Sequence, residues 1–192
     1  GHVLRDRTFR RYTLVVCAIY CAWFVYLTQS PFLFARQGLS EEQSGWLYLP
    51  LTAGIIGANW VTRRLLEHWP YDRIVAAGIV FFVVGGVAFM AVAALGLHGA
   101  AAVVLPMCLV SLANGSSLSL AVSGAVASEH GYAATASGLV GFCQIGSAAL
   151  VAMGVSAAFG TGPGVLGATV LVLGLVALST CLPRPGCQPK VV

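Results

Sequence analysis

Charged residues are missing from four stretches of this chain, and those stretches predict its elements. No Asp, Glu, Lys or Arg occurs at residues 12–35, 43–62, 74–128 or 130–183. A helix rises about 1.5 Å per residue and a bilayer's hydrocarbon core is about 30 Å thick, so each stretch can cross once or twice. The two longest are interrupted near their middles by Gly96-Leu97-His98-Gly99 and Gly160-Thr161-Gly162-Pro163-Gly164, sequences that turn a chain. The pattern predicts an all-α membrane protein of six transmembrane helices, at 12–34, 43–62, 74–97, 101–125, 132–159 and 164–182. A lead-in at 1–11 and a tail at 183–192 flank them.

The first span carries more than lipid requires. Its outer half, residues 23–34, holds an aromatic cluster and then Thr28-Gln29-Ser30-Pro31. At about 100° per residue, Tyr20, Trp23, Leu27 and Ser30 fall within roughly 80° of one another, making one strip aromatic and weakly polar. Pro31 has no backbone donor and frees a carbonyl one turn back, which membrane depth tolerates only where protein or a wet cavity satisfies it. The helix is therefore expected to break at Pro31 and to form a cavity wall near a membrane exit.

Ser40 followed by Gln43 is a capping-box pattern that starts span two near Glu41. Along it Tyr48, Thr52, Ile55, Asn59 and Thr62 recur at helical spacing, a partly polar stripe that has to face protein or water. The loop at 63–73 carries Arg63, Arg64, Asp72 and Arg73, with Trp60 and Trp69 as anchors at headgroup level. Span four is dense in hydroxyls, at Ser111, Ser116, Ser117, Ser119 and Ser123. Its Asn114 costs too much to face lipid and has to pack on a helix or a cavity. Span five sets Ser137, Gly141, Gln144 and Ala148 on one face, while the literal Gly-x-x-x-Gly pattern occurs only in the loop at Gly160 and Gly164. Spans three and six are bland and are expected to face lipid. The characters thus repeat every three spans, the way secondary transporters build their halves.

Composition settles the class: 58% of the 192 residues are apolar and 8% are charged, which no soluble surface tolerates. The net charge of +4 is distributed by side. If the spans alternate, Arg5, Arg7, Arg10, Arg11, the 63–73 loop, the Glu129 loop, Arg184 and Lys190 share one side, leaving only Arg36 on the other. The positive-inside rule puts both termini in the cytoplasm and accounts for the basic excess without nucleic acid. Of six cysteines, Cys17, Cys21, Cys108, Cys143 and Cys181 lie in spans and Cys187 in the tail, so no disulfide is expected. His2, His68, His98 and His130 have no ligand spacing, so neither metal nor cofactor is expected. A membrane hydrolase lacks its parts as well: there is no Gly-x-Ser-Gly, no His in a span and no paired carboxylate. Residues 1–11 read as a lead-in joining one group of spans to another, which makes the chain an expected excerpt.

Three stretches carry a family likeness: Tyr26-Leu-Thr-Gln-Ser-Pro-Phe-Leu-Phe34 with Gly38-Leu39-Ser40; residues 54–64 leading into the basic loop; and Asn114-Gly115 with Ala133-Ala-Thr-Ala-Ser-Gly-Leu-Val-Gly-Phe-Cys-Gln144. On these the chain resembles the C-terminal half of a major facilitator superfamily transporter of the bicyclomycin-resistance (Bcr/CflA) drug:proton antiporter type. It differs at His68-Trp69-Pro70, where the family commonly has Gly, and in having Gly rather than Ala after Asn114. The resemblance implies half of that fold, with spans one and four lining a cavity, two and five facing the N-terminal six-helix half, and three and six outside. It implies a substrate cavity of Tyr20, Trp23, Leu27, Ser30, Pro31, Ser111 and Asn114. Tyr48, Thr52, Asn59, Ser137, Gly141 and Gln144 become the interface between halves, and Arg63, Arg64, Asp72 and Arg73 a cytoplasmic gate loop. It also implies a multidrug efflux antiporter of the cell inner membrane, exchanging small amphipathic molecules for protons and conferring antibiotic resistance. Proton coupling needs a membrane-embedded acid, and none lies in these spans, so that acid belongs to the other half. The competing reading is a self-assembling six-span channel or scaffold whose stripes face copies of itself.

The charge asymmetry generates a topological test. In intact cells an impermeant thiol reagent is expected to label Thr161→Cys from outside and to leave Cys187 untouched; the opposite pattern inverts the orientation.

Overall fold

The computed structural model describes residues 6–97, 99–127 and 132–181. Arg5, His98, the Glu129 loop and the tail bearing Arg184, Cys187 and Lys190 lie outside them. Every regular element among the described residues is helical: α1 (Arg7–Arg36), α2 (Glu41–Trp46), α3 (Leu49–Leu65), α4 (Tyr71–Ala94), α5 (Ala100–Ala113), a π-helical turn (Asn114–Leu118), α6 (Ser119–Ala127), α7 (Ala133–Phe159) and α8 (Pro163–Cys181). Five helical rods are long and apolar enough to cross a membrane: Arg7–Arg36, Tyr71–Ala94, Ala100–Ala127, Ala133–Phe159 and Pro163–Thr180.

Two expectations need correction. Helix α1 does not break at Pro31 but runs on to Arg36. The carbonyl deprived of its donor is that of Leu27, one turn back, and both Leu27 and Pro31 are exposed. The helix stops instead at Gly38, whose φ of 78° lets Leu39 N–H reach the Phe34 carbonyl at 3.2 Å and Gly38 N–H reach that of Ala35 at 3.0 Å. This is the Schellman ending that a left-handed glycine permits.

Span two, expected as one helix, is divided. The Ser40–Gln43 capping box forms as expected, with bonds of 3.2 Å and 3.0 Å, and starts α2. Two turns later Leu47 and Tyr48 donate to carbonyls only three residues back, at 3.2 Å each, and Pro50 has no N–H to offer Trp46. Helix α3 restarts at Leu49 with 17 residues, about 25 Å at the helical rise, which leaves it shorter than the other spans.

The hydroxyls of the fourth rod are mostly spent on their own helix. Ser111, Ser116, Ser119 and Ser123 donate to the carbonyls of Met107, Leu112, Gly115 and Ser119 at 2.9, 2.7, 2.9 and 3.0 Å. Back-bonding of this kind satisfies a hydroxyl without water, so serine density alone does not make a wet face. Two serines also reach another helix: Ser117 donates to the Val75 carbonyl of α4 at 2.8 Å, and Ser119 lies 3.1 Å from the Asn59 amide oxygen of α3.

The bundle is closed by backbone proximity. A Cβ on Gly86 would sit 2.8 Å from Leu171 Cα, and one on Gly167 would sit 2.9 Å from Phe89 Cβ, so α4 and α8 meet along a seam with no room for side chains. Gly115 does the same for the π turn against the Ile55 carbonyl and Ala58 of α3. The bland helices α4 and α8 thus bury one face on each other while Val80, Val84, Val172 and Val176 remain exposed. Helix α1 packs on α6, α7 and α8, and the fourth rod packs on α1, α3 and α4. The principal pairs are unchanged when the first three spans are exchanged with the last three. Tyr12, Ile19, Tyr26, Phe34, Phe82, Phe89 and Met107 fill the middle.

Overpacking a tight helix contact costs about 1–3 kcal/mol. Gly86→Leu is expected to lower the stability of the purified chain by that amount in denaturant titration. Gly141→Leu, where nothing lies within 4 Å of the added atom, is expected to leave it unchanged.

Candidate functional site

The strip on α1 divides by depth. Tyr20 is half-buried and stacks on Phe24 with ring centroids 6.4 Å apart, and Trp23 is half-buried beside Tyr26 at 6.2 Å. With exposed Leu27 they leave an aromatic and apolar surface open on one side of the bundle. Ser30 does not share it. That residue is fully buried, and its hydroxyl lies 2.6 Å from the Tyr48 hydroxyl. The Tyr48 ring stands edge-on to Tyr26 at 6.1 Å and to Phe34 at 6.2 Å, which clamps the joint between α2 and α3 onto α1. Ser111 and Asn114 are also buried, the latter at the first position of the π turn.

Exposed side chains also stand on α3 and α7. Thr52 is exposed and donates to the Tyr48 carbonyl at 3.1 Å. Asn59 is half-buried and its amide oxygen accepts from Ser119 at 3.1 Å, joining α3 to α6. Ser137 is exposed, Gly141 and Gln144 are partly so, and Phe142, Ile145 and Met153 of α7 stand out beside them. Just inside, Ser147 receives the Cys21 thiol at 3.4 Å and bonds the Gln144 carbonyl at 3.3 Å.

At the end of the bundle where α1 begins, the Tyr71-Asp72 pair of α4 gathers α1 and α6. Its carboxylate accepts the Tyr12 hydroxyl at 2.9 Å and lies 3.7 Å from Arg11. Neighbouring Tyr71 donates to the Leu120 carbonyl of α6, and the two tyrosine rings meet edge-on at 5.9 Å. A Cβ on Gly124 would stand 3.0 Å from both Tyr12 and the Tyr71 hydroxyl, a tight fit that glycine relieves. Arg63 and Arg73 are exposed, and Arg64 is exposed with its guanidinium 4.9 Å from the Trp60 ring. Of the loop's four expected gate residues, only Asp72 is tied to α1. At the opposite end Arg36 donates to the Thr161 carbonyl at 3.1 Å, so the α1 and α7 termini share that end.

Several of these residues carry no sequence signal strong enough to single them out. Tyr12 opens one charge-free run and Tyr71 lies three residues before another, which does not set them apart from the chain's other aromatics. Gly78 and Gly85, and Gly167 and Gly174, are pairs seven residues apart, a helical spacing that marks a packing seam better than the Gly160–Gly164 pattern does. A search among protein-family models and among curated proteins finds no match to this chain.

A hydrogen bond to a charged acceptor contributes about 1.5–3 kcal/mol, a partly exposed ion pair about 0–1. Tyr12→Phe is therefore expected to destabilise the purified chain clearly more than Arg11→Gln. A double-mutant cycle with Asp72→Asn in denaturant titration measures both couplings.

Proposed function

We propose that this chain is one half of a secondary active transporter that exports small amphipathic molecules across a cell inner membrane, with both termini cytoplasmic, in exchange for protons. The observation that carries this reading is the surface formed by Tyr20, Trp23 and Leu27 on α1, open beside two sparsely buried helices, α3 and α7. Rigid aromatic area with few directed polar groups suits unlike ligands, because surface contact tolerates changes of shape that oriented hydrogen bonds do not. Thr52, Asn59, Ser137 and Gln144 would then face a second six-helix half. The three-span exchange pattern of helix packing supports the same architecture, since such halves are built from repeats. The Asp72 cluster serves in this reading as the closure at the cytoplasmic end.

Exchange for protons requires an acid inside the membrane, and the charge-free runs hold none. The isolated chain, reconstituted in proteoliposomes with an imposed proton gradient, is expected to accumulate no drug; gradient-dependent uptake would place coupling in this half. In the two-half protein, Trp23→Ala and Tyr20→Ala each remove aromatic area that contributes about 1–3 kcal/mol. Both variants are expected to bind and export drug more weakly at equal membrane abundance. Wild-type binding and export by both would reduce the strip to packing.

The alternative is a self-assembling channel or scaffold, favoured by the apolar side chains exposed along α7. Cross-linking of the purified chain separates the two: a closed homo-oligomer with defined stoichiometry supports self-assembly.

A further inference from the structure

Among the described residues, every buried side-chain polar atom without a protein hydrogen-bond partner belongs to α1: Thr13 Oγ1, Tyr26 Oη, and both Oε1 and Nε2 of Gln29. Two of these residues stand together. Tyr26 is 0% exposed and Gln29 is 1% exposed. Three residues apart on a helix, they are neighbours on one face. The buried serines Ser30, Ser111 and Ser117 bond to their own helix or across a seam, so an entire unpaired amide one turn from an unpaired phenol is out of keeping with them. Buried polar atoms are retained unpaired at a cost, and such groups call for an occupant or a task.

The surroundings define the occupant. A Gln amide offers two donors and an acceptor, and a Tyr hydroxyl offers one of each. No charged side chain lies within residues 12–35, 43–62, 74–128 or 130–183, so the helices packed on α1 supply no counter-charge at this depth. Glu41 and Glu42 of α2 are exposed. An ion taken into such a place would be buried without a partner, which is costly. A neutral group is not penalised in that way.

The same corner holds a closure. Ser30, next to Gln29, shares its hydroxyl with Tyr48 at 2.6 Å, and the Tyr48 ring lies edge-on to Tyr26 at 6.1 Å. Tyr48 sits at the joint between α2 and α3, where regular α-helical hydrogen bonding lapses and Pro50 follows. One hydrogen bond therefore fastens an irregular joint onto α1 at Ser30, against the Tyr26 ring.

We propose that Tyr26 and Gln29 form a binding site for an uncharged group that both donates and accepts hydrogen bonds, closed by Tyr48 in this conformation. Water supplies that chemistry, and so does the amide or hydroxyl of a dissolved molecule. The site requires only that the chain folds, so it stands or falls independently of transport.

The test uses the full chain purified in detergent micelles. Hydroxyl-radical footprinting of Tyr26 reports water at the site, and equilibrium dialysis with benzamide, against benzoate as its charged counterpart, reports a solute. Tyr26 is expected to be oxidised several-fold faster in Tyr48→Phe, which loses the hydroxyl that holds the joint, and to fall back when Gln29→Leu is added. If the occupant is a solute, benzamide binds saturably, benzoate does not, and Gln29→Leu weakens benzamide about tenfold, the equivalent of one hydrogen bond. A Gln29-dependent footprint without benzamide binding assigns the occupant as water. The proposal is overturned if Tyr26 stays as protected in Tyr48→Phe as in wild type and benzamide binding ignores Gln29. Should Gln29→Leu fail to fold, the Tyr48→Phe footprint alone decides, since no acceleration there leaves no site behind the clamp.

Discussion

Within hydrocarbon an apolar side chain gains nothing by exchanging lipid for protein, so helices hold together only where their surfaces come very close. In this bundle that closeness is supplied by missing side chains. Gly86 and Gly167 bring α4 against α8, and Gly115 brings the π turn against α3. Gly78 faces the Ser116 and Ser117 hydroxyls, where any Cβ would collide. Because α4 and α8 are fixed to each other, α1 and the fourth rod can be held against them.

Polar groups are distributed by the same rule of proximity. On the fourth rod the serines bond mostly to their own helix; Ser119 also reaches Asn59 of α3, and Ser117 crosses to α4 where Gly78 admits it. On α1 Thr28 bonds to its own helix, Ser30 and Tyr12 bind another helix, and Gln29 binds nothing in the protein. Helix α1 is therefore the element whose side-chain chemistry the bundle does not absorb. It is also held at both ends by bonds that can be broken without disturbing the glycine seam: Asp72 at one end, Tyr48 toward the other. An element fastened at its ends and imperfectly satisfied in its middle is suited to occupy more than one position.

The two ends differ in their chemistry. At the α1 start an acid, two tyrosine hydroxyls and an arginine meet at the edge of the apolar layer, where charge remains solvated enough to be kept. Toward the other end the only charge in the α1 contacts, among the described residues, is Arg36, on the Thr161 carbonyl, and the clamp inside it is neutral: a serine, a tyrosine and aromatic edges. A neutral clamp suits a deeper location, because breaking it exposes no charge to hydrocarbon.

How much was legible in the sequence follows from which forces act locally. The helices and their ends were readable, since charge-free runs, the Ser40–Gln43 capping box and the Gly96 and Gly160 turns are properties of short segments. The joint at Leu47–Tyr48 was present in the sequence as Pro50, yet the apolar run around it read as unbroken. Pro31 carried the opposite risk, promising a break where the helix simply leaves one carbonyl at an exposed edge. Only the tertiary structure separated Trp23 from Ser30, neighbours on one calculated strip, because burial depends on which helix arrives and where, and Tyr48 arrives over Ser30. It alone paired Tyr12 with Asp72, 60 residues apart, and left Gln29 without a partner. Periodicity fixes which face of a helix a residue occupies, but the identity of the atoms opposite is set by the packing of other helices, and no local pattern encodes it.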